Sequence, residues 1–415
     1  MNSAVTTEHS VCGSEPGLIS VDQALQMILD HTDHLGIETL PLSQALNRFV
    51  AEDIYSKTQL PIFSQSAVDG YAICMDIDMP AESSFELIGE IRAGQGADLI
   101  LEPGQAVRIF TGAKIPLQTT TVARQEIVQL MDSTIILTEA LRLDADIRQA
   151  GEEIRMDQYL AVQGQQLSIG TIAALSMAGI RKVSVYRYPK IAVVITGDEV
   201  ADTVEDLNSG KIFDANAPLI QAWFQSRNQQ VEIMHVADTE QAVSALFQRL
   251  RTQYDLILTT GGVSVGDYDF VRPVALKIGF EQLFWKVKQK PGKPMFFAKS
   301  ERPDQNPCYL LGLPGNPAAV YIGMQVYVST LISTLQGQKQ LPQWFSAVIS
   351  HDLKADSRER FLRMAVSFES GMLKLSSLPK QQSHMLSNLM QANCIVRIPA
   401  AQSIQAGQIL QGLFI

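Results

Sequence analysis

The fold of this chain is decided by residues 256–266, which read LILTTGGVSVG. The apolar run 256–259 is typical of a β-strand that is covered on both faces. A turn with glycines at positions 261, 262 and 266 follows at once. Ligands of open α/β sheets bind at the carboxyl ends of the strands, so this turn marks the edge of the sheet where a site is expected.

Strands and amphipathic helices alternate around this stretch. A further buried strand is expected at 191–196 and another strand at 231–236, with helices near Pro218 and over 242–250. A long apolar helix over 318–335 closes the region. Strands that alternate with helices imply right-handed βαβ units, so we expect a doubly wound α/β domain over 189–337.

The rest of the chain has a different texture. Ser20 and Gln23 make a capping-box pattern, and helical segments at 18–53 and 146–188 predict a small helical linker domain. Short apolar runs between Gly and Pro predict a β-rich inserted domain at 54–145. Short strands return after Gly337, which predicts a C-terminal β domain at 338–415. We expect residues 1–17 to be a flexible tail. The fold class is therefore α/β multidomain.

The amino-acid composition argues against some classes of function. The chain has 415 residues, 33 Lys plus Arg and 43 Asp plus Glu, which gives a formal charge of −10. This acidic balance argues against nucleic acid as a partner, because binding to its backbone needs a large basic face. The apolar fraction of 46% is ordinary for a chain that buries sizeable cores.

The cysteines and the apolar segments indicate the compartment. The four cysteines, Cys12, Cys74, Cys308 and Cys394, form no CxxC pair and give no zinc signature. They suit a reducing cytoplasm. No run approaches the about 20 apolar residues that a membrane span needs, and residues 1–17 lack the basic start and apolar core of a signal peptide. We expect a cytoplasmic protein with no membrane span.

The glycine-rich turn permits two interpretations. Its backbone N–H groups, with Gly261, Gly262, Ser264 and Gly266, are suited to cradle a phosphate. Alternatively, the glycines serve only a tight turn with positive φ. The stretch matches neither a Walker A sequence nor GxGxxG.

Acidic residues follow three of the predicted strands. These residues are Asp198, Glu199, Asp238, Asp267 and Asp269. Carboxylate oxygens beside phosphate oxygens are the usual surroundings of Mg²⁺. Any one of these acids, Asp238 above all, is also explained as a helix cap. Taken together, the acids favour a metal–phosphate site.

Lysines and prolines mark two more loops. Lys286, Lys288 and Lys290 share one face of an extended chain, which suggests an anionic ligand. The alternative is a solvated edge strand, where lysines block aggregation. Residues 313–317 (LPGNP) indicate a rigid turn before a helix. By spacing alone, Asp69 and Thr111 do no more than stabilise turns.

Seven motifs, taken in order, resemble the molybdopterin molybdenumtransferase (MoeA-type) family, which includes the E domain of gephyrin. The motifs are 66–72 (SAVDGYA), 111–113 (TGA), 151–154 (GEEI), 196–199 (TGDE), 261–266 (GGVSVG), 290–294 (KPGKP) and 313–317 (LPGNP). Each motif alone is weak, but the ordered set is highly specific and runs from about Ser20 to the C-terminus.

The resemblance implies that the α/β domain at 189–337 is of the molybdopterin-binding type, and we expect the C-terminal β domain to be a β-barrel. The resemblance also implies a function. Members of the family insert molybdate into adenylated molybdopterin and release AMP in a Mg²⁺-dependent reaction that forms molybdenum cofactor. The resemblance also implies a homodimer whose cleft lies between the α/β domain of one copy and the β-rich domain of the other. Pterin adenylyltransferase and apo-molybdoenzymes are the implied partners.

The resemblance also assigns roles to individual residues. The catalytic residues would be Asp69, Thr111, Glu199, Asp238 and Asp269. The substrate-binding residues would be Gly261, Gly262, Ser264, Gly266, Lys286, Lys290, Lys293, Pro314, Pro317 and Arg148. The metal ligands would be Glu153, Asp198, Glu199 and Asp269. Glu153 stands where the family commonly has aspartate.

Two other functions stay open at this point. The related pterin adenylyltransferase shares the α/β domain, but it lacks the N-terminal modules and the C-terminal β domain predicted here. A non-enzymatic scaffolding role, suggested by gephyrin, would need a partner groove, of which the sequence gives no sign.

Overall fold

The computed structural model describes residues 17–96, 98–201, 203–266, 269–303 and 305–415. Asp267, Cys12 and all of the predicted tail except Gly17 lie outside these residues. The chain divides into two compact units. Unit 2 is Thr39–Val185, and unit 1 combines the described residues up to Glu38 with Tyr186–Ile415.

Helix α1 (Val21–His31) begins at the predicted capping box. The Ser20 hydroxyl accepts from the backbone N–H of Gln23 (3.1 Å), and Gln23 Oε1 accepts from the N–H of Ser20 (2.9 Å). The buried face of the helix packs in one cluster with the strands of the α/β sheet. The first helix therefore belongs to the core of unit 1.

From α1 to the return of the chain into unit 1, the described residues form one α-helix and twelve strands, besides short 3-10 turns. They are β1 (Ile37–Pro41), β2 (Ile54–Tyr55), β3 (Gln65–Ser66), β4 (Gly70–Ile73), β5 (Ser84–Ile91), β6 (Gln105–Ile109), β7 (Thr121–Arg124), β8 (Val128–Met131), β9 (Thr134–Leu137), β10 (Ile147–Arg148), β11 (Tyr159–Ala161), α2 (Ile169–Met177) and β12 (Lys182–Tyr186).

Six of these strands form the main sheet of unit 2, in the order β7-β4-β6-β5-β9-β8. Only β5 and β6 pair in parallel. Successive side chains of a strand point to opposite faces. Tyr71 and Ile73 accordingly enter one apolar cluster and Ala72 another, so β4 is buried on both sides.

The segments before and after this sheet pack together. Strands β2 and β3 pair with β11 and β10, respectively. Leu42, Ala45 and Val50 share an apolar cluster with Leu175 and Val183. Within unit 2 the sheet is therefore an insertion between two parts of one smaller core. The domain boundaries drawn from the sequence remain predictions.

Unit 1 continues with strands and helices in alternation. They are β13 (Ile191–Thr196), α3 (Asn216–Gln225), β14 (Glu232–Val236), α4 (Glu240–Gln253), β15 (Leu256–Thr260), α5 (Val271–Lys277), β16 (Glu281–Trp285), β17 (Gln289–Lys290), β18 (Phe296–Arg302), β19 (Gln305–Leu313), α6 (Pro317–Gly323) and α7 (Ser329–Leu335).

Six of these strands form the α/β sheet, in the order β14-β13-β15-β19-β18-β16. The first four are parallel, and β18 and β16 run antiparallel at one edge. Apolar clusters cover both faces. As predicted, β13 and β15 are buried along their whole length.

Helices α6 and α7 are continuous through a π-helical turn at Met324–Val328. Among the described residues, Pro317–Leu335 is the one helix long and apolar enough to cross a membrane, and 78% of its most apolar window is buried inside the molecule. Such burial is typical of the core helix of a folded domain.

The C-terminal region is a closed β-barrel. Its strands are β20 (Phe345–Ile349), β21 (Glu359–Glu369), β22 (Met372–Ser377), β23 (Cys394–Ile398) and β24 (Ile409–Phe414). The order β21-β22-β20-β24-β23 closes because β23 also pairs with β21. Strand β17 adds to β21 in parallel and attaches a loop of the α/β domain to the barrel. The predicted multidomain α/β fold class is confirmed.

Gly70 allows a close approach in the main sheet of unit 2. A Cβ at this position would lie 2.0 Å from the backbone oxygen of Ala123 in β7. We expect Gly70→Ala to destabilise the sheet by about 1–3 kcal/mol, because a backbone atom cannot yield as a side chain does. Hydrogen exchange of the amides of β4 measures the effect.

Gly89→Ala is the matched control in the same sheet, since its Cβ would meet only the Val107 side chain at 3.7 Å. Equal protection of β4 in the two variants would contradict the steric argument.

Candidate active site

The glycine-rich turn lies directly against the neighbouring strand end. After β15, Gly261 and Gly262 adopt φ values of 85° and 65°. A Cβ on Gly261 would lie 2.5 Å from Oγ1 of Thr196, the last residue of β13. Both the backbone conformation and this close contact therefore require glycine.

The turn also offers backbone donors. The N–H of Gly261 donates to Leu313 O (2.9 Å), and that of Gly266 donates to Asp269 Oδ2 (2.7 Å). Within the described part of the chain, the N–H groups between them, at residues 262–264, have no acceptor. Successive unpaired N–H groups in a turn form a concave anion-binding site. The turn is thus both tight and suited to hold a phosphate.

A cavity of about 320 Å³ opens over this turn. We call it the acidic cavity, because its lining contains three carboxylates and no cationic side chain among the described residues. It brings together seven of the residues nominated by the sequence: Glu199, Asp238, Gly261, Gly262, Ser264, Asp269 and Pro314.

Asp198 and Asp238 hold the ends of β13 and β14 together. The N–H of Asp198 donates to Asp238 Oδ2 (3.3 Å), and the N–H of Asp238 lies 3.5 Å from Asp198 Oδ1. The cap of α4 is Thr239, whose hydroxyl accepts from the N–H of Ala242 (3.3 Å). The interpretation of Asp238 as that helix cap is therefore wrong.

The carboxylates repel one another. Burial raises the pKa of Asp238 above its usual range, and the charges of Asp198, Glu199 and Asp269 raise it further, against the lowering effect of the hydrogen bond from Asp198. Three acids close enough to act on a fourth leave negative charge that is not neutralised. A cation is the natural complement of such a group.

The acids alone do not form a complete metal site. Among the described residues, no three His, Cys, Asp or Glu side chains are grouped closely enough to hold a metal ion. Mg²⁺ commonly binds through one or two carboxylates together with water and substrate phosphates. The acidic cavity fits a Mg²⁺ site of that kind rather than one built from protein ligands only.

The lysine segment is linked to the glycine turn. Trp285 Nε1 donates to the backbone oxygen of Val263 (2.9 Å), which connects the end of β16 to the turn. Lys286 follows with φ 73°, and its Nζ lies 4.2 Å from the centre of the Trp285 ring. The Lys286 ammonium therefore makes a cation–π contact with the Trp285 ring.

A second cavity, of about 600 Å³, adjoins the first. It lies between the α/β domain and the barrel within unit 1, and the two cavities share Pro294, Pro314 and Asn316. We call it the cationic cavity after five lining residues, Lys290, Lys293, Arg358, Arg360 and His384. The buried Nε of Arg360 has no hydrogen-bond partner among the described residues.

Of the charged residues that line this cavity, the sequence predicted only the two lysines. Arg358, Arg360 and His384 belong to the barrel, far along the chain from the lysines. No local motif identifies them, because ordinary surface arginines of a β-strand have the same sequence signal. Strand β17 brings them near by pairing Lys290 with Arg360 in register.

A buried glutamine holds the lysine loop from inside. Gln289 is fully buried, and its Nε2 donates to the backbone oxygens of Pro291 (3.1 Å) and Gly292 (3.2 Å). The hydroxyl of the buried Tyr327, in the π-helical turn, donates to Gln289 Oε1. Side chains that face the core thus orient the loop that carries Lys290 and Lys293.

The proline loop is anchored in a similar way. Asn216 Nδ2, at the start of α3, donates to the backbone oxygen of Gly315 (2.8 Å). Pro314 lines both cavities. Pro317 is the first residue of α6 and, in the described part of the chain, is not in the lining of either cavity. Pro317 therefore supports the loop rather than forming its surface.

Asp69 and Thr111 meet in unit 2. Asp69 Oδ1 accepts from both the backbone N–H and the hydroxyl of Thr111, each at 2.8 Å. These two hydrogen bonds, the backbone one foremost, lower the pKa of Asp69, and Arg108 adds to the effect. The pair does stabilise a turn, and it presents an exposed charged carboxylate as well.

Arg148 and Glu153 also lie in unit 2. Arg148 ends β10, opposite Gln65 of β3, and its side chain is exposed. Glu153 is exposed in the following turn, where its N–H donates to Leu60 O (3.0 Å). Their proposed roles in binding substrate and metal remain predictions.

The fold and the cavities define a multidomain α/β protein with a candidate site for a polyanionic ligand at the ends of parallel strands. Three family descriptions match the chain in order: the MoeA N-terminal region (domains I and II) at residues 19–179, the probable molybdopterin binding domain at 192–334, and the MoeA C-terminal region (domain IV) at 346–413.

Relatives match over almost the full length. A molybdopterin molybdenumtransferase of Haemophilus influenzae is 35% identical over 399 residues, which cover 94% of this chain and 97% of the relative. One of Staphylococcus epidermidis is 30% identical, with 94% of each chain covered. A crystal structure of a MoeA protein from Pyrococcus horikoshii superposes with a TM-score of 0.78 at 26% identity, over 96% of this chain and 99% of that one.

The chain therefore belongs to the molybdopterin molybdenumtransferase (MoeA) family, whose transferases act in molybdenum cofactor biosynthesis. The resemblance seen in the seven motifs is confirmed.

The Asp69–Thr111 pair can be tested by titration. We expect Thr111→Val to raise the pKa of Asp69, because it removes the hydroxyl donor, while the backbone donor keeps that pKa below the usual aspartate range. A lowered pKa in the folded state adds stability at neutral pH, and that stability is lost as the pH falls through it. The variant should lose this contribution at a higher pH than the wild type.

Carbon NMR of the Asp69 carboxyl group, assigned with Asp69→Asn, measures the shift. Thr111→Ser, which retains a hydroxyl, is the control and should titrate like the wild type. The same pKa in Thr111→Val as in the wild type would contradict this account.

Proposed function

We propose that the protein inserts molybdate into adenylated molybdopterin, with release of AMP and formation of molybdenum cofactor. The name shared by its relatives supports the reaction type. The observation that carries the proposal is the pair of adjoining cavities in unit 1, one acidic with a donor turn and one cationic.

The two cavities suit the two substrates. The free N–H groups of the glycine turn would hold the phosphates of the adenylated pterin. Molybdate is a tetrahedral dianion, and lysine and arginine side chains are the groups that bind such an ion. Lys290, Lys293 and Arg358 line the cavity proposed for it. The shared wall at Pro294, Pro314 and Asn316 would keep the pterin and the oxyanion adjacent.

Mg²⁺ is the proposed cofactor, with Asp198, Glu199 and Asp269 as its candidate protein ligands in unit 1 and Glu153 as a candidate from unit 2. When bound, the ion would offset negative charge on the phosphoanhydride. The protein's own part is to orient the phosphate by the turn and to hold Lys286 against Trp285 beside it.

The proposal includes a homodimer in the cytoplasm. Asp69, Thr111, Arg148 and Glu153 are exposed in unit 2. We propose that a second copy supplies them to the cleft. Pterin adenylyltransferase, as the source of substrate, and apo-molybdoenzymes, as acceptors of product, are the proposed partners.

AMP release tests the reaction. Given adenylated molybdopterin and Mg²⁺, the protein should release AMP when molybdate is added and far less without it. ATP-dependent adenylation of the pterin with no molybdate-dependent AMP release would point to an adenylyltransferase instead. Dimerisation without either reaction would point to a scaffold.

Lys286 and Lys290 should affect the reaction through binding of molybdate. We expect Lys286→Ala and Lys290→Ala each to raise the molybdate concentration for half-maximal AMP release by about tenfold. Lys290 lines the cavity proposed for the dianion, whereas Lys286, which among the described residues lines neither cavity, adds positive charge beside the glycine turn. The melting temperature should stay near that of the wild type, because the Lys290 side chain is exposed and the half-buried Lys286 side chain is not part of an apolar core cluster. Lys288→Ala is the control, since Lys288 is an exposed lysine between the two and, among the described residues, lines neither cavity. Unchanged molybdate dependence in both variants would exclude the assigned role.

A cleft shared between two copies can be tested by subunit mixing. Asp69→Asn and Asp269→Asn should each be inactive alone, because one disables the contribution of unit 2 and the other that of unit 1. After mixing and subunit exchange, about a quarter of wild-type activity should return, since half of the dimers are mixed and each has one intact cleft of two. If each cleft belonged to one copy, mixing would restore nothing.

A further inference from the structure

The lining of the cationic cavity includes a negatively charged residue. Among the described residues that line it, Asp356 is the single acid beside two lysines, two arginines and a histidine. It precedes β21 in the barrel, whereas Lys290 belongs to the α/β domain. The pairing of β17 with β21, in which Lys290 lies opposite Arg360, brings the two segments together.

Both oxygens of the Asp356 carboxylate are engaged. Oδ2 lies 2.9 Å from Nζ of Lys290, and Oδ1 accepts from the backbone N–H of Arg358 (3.1 Å). The Asp356 side chain is 20% exposed and that of Lys290 is 53% exposed. The carboxylate is therefore held by the backbone, and the lysine is the partner that solvent and ligands can reach.

The charge of this carboxylate persists under working conditions. The hydrogen bond to Lys290, and then the one from the Arg358 backbone, lower the pKa of Asp356 below its usual range. The groups that face it from both packed elements, Lys290 and Arg358, are cations. It thus remains an anion at neutral pH.

We propose that Asp356 is a built-in competitor for the oxyanion: its carboxylate pairs with Lys290 in the cationic cavity, and an entering oxyanion displaces it from the lysine. The inference rests on the proposed function, because it assumes that this cavity takes a tetrahedral dianion. Asp356 touches Lys290 rather than the reacting atoms, so it is a positioning residue that sets the affinity.

The physical reason is competition between two anions for one cation. An accessible ion pair contributes little, so a dianion that also meets Lys293 and Arg358 can replace the single charge of Asp356. The carboxylate remains fixed nearby and repels the bound oxyanion. The consequence is a weaker site, from which the oxyanion can leave for the pterin instead of being trapped among four permanent cations.

The test compares molybdate binding to the full-length wild type and to Asp356→Asn by calorimetry, at neutral pH and fixed ionic strength. Asparagine keeps the shape and an oxygen for the Arg358 N–H but removes the charge. We expect the dissociation constant to fall by about threefold to tenfold, the scale of one charge acting on a dianion near the protein surface. Asp356→Ser provides a second neutral variant should the first fold poorly.

Asp352→Asn is the matched control, because it removes one negative charge from the same barrel, outside the cavity lining, where Asp352 Oδ1 accepts from the N–H of Ala406 (2.8 Å). It should bind molybdate like the wild type. Tighter binding by the Asp356 variants alone is a gain that structural damage does not produce.

The outcomes separate the two proposals. Wild-type binding with equal or weaker binding by the Asp356 variants overturns the role of Asp356 and leaves the proposed function standing. A failure of wild type and variants alike to bind molybdate overturns the cationic cavity as the oxyanion site, and the role of Asp356 with it.

Discussion

The active-site region depends on one close contact, between the glycine turn after β15 and the end of β13. A Cβ on Gly261 would lie only 2.5 Å from the Thr196 hydroxyl, so no other residue lets the turn pack against the end of β13. This packing aligns the ends of neighbouring strands, and Glu199 and Asp238, which follow those ends, line the acidic cavity. Within the described residues, the next backbone N–H groups of the turn, at 262–264, have no acceptor. The site is thus a consequence of how closely two strand ends approach.

Each of the three loops around the cavities is anchored by a side-chain hydrogen bond to one of its backbone carbonyls. Trp285 holds the turn through the Val263 carbonyl, Asn216 holds the proline loop at Gly315, and Gln289 holds the lysine loop at two carbonyls. Hydrogen bonds of this kind restrict loops that would otherwise lose conformational entropy on binding. The charged residues are therefore oriented before a ligand arrives. These polar side chains of unit 1 therefore orient the loops of the site as well as stabilise the fold.

Local sequence patterns were enough to predict the strands, helix cap and turn whose conformation depends on a few neighbouring residues. The apolar runs of β13 and β15, the capping box of α1 and the positive φ of Gly261 and Gly262 all follow from a few neighbouring residues. Asp238 shows where such reasoning stops. Its place before a helix suggested a cap, but Thr239 takes that role, and the Asp238 carboxylate turns toward Asp198 instead. Propensity alone does not decide between two adjacent polar residues.

By itself, the sequence determined the family, the doubly wound sheet and the glycine, acidic and lysine motifs, because these depend on short-range periodicity and on residue order. Only the tertiary structure decided that the lysines adjoin Arg358, Arg360 and Asp356. Those residues come from a barrel that β17 joins through two register pairs, Gln289 with Glu359 and Lys290 with Arg360. Strand pairing across so long a stretch of chain is set by the packing of whole domains, and the charge balance of the cationic cavity follows from that packing.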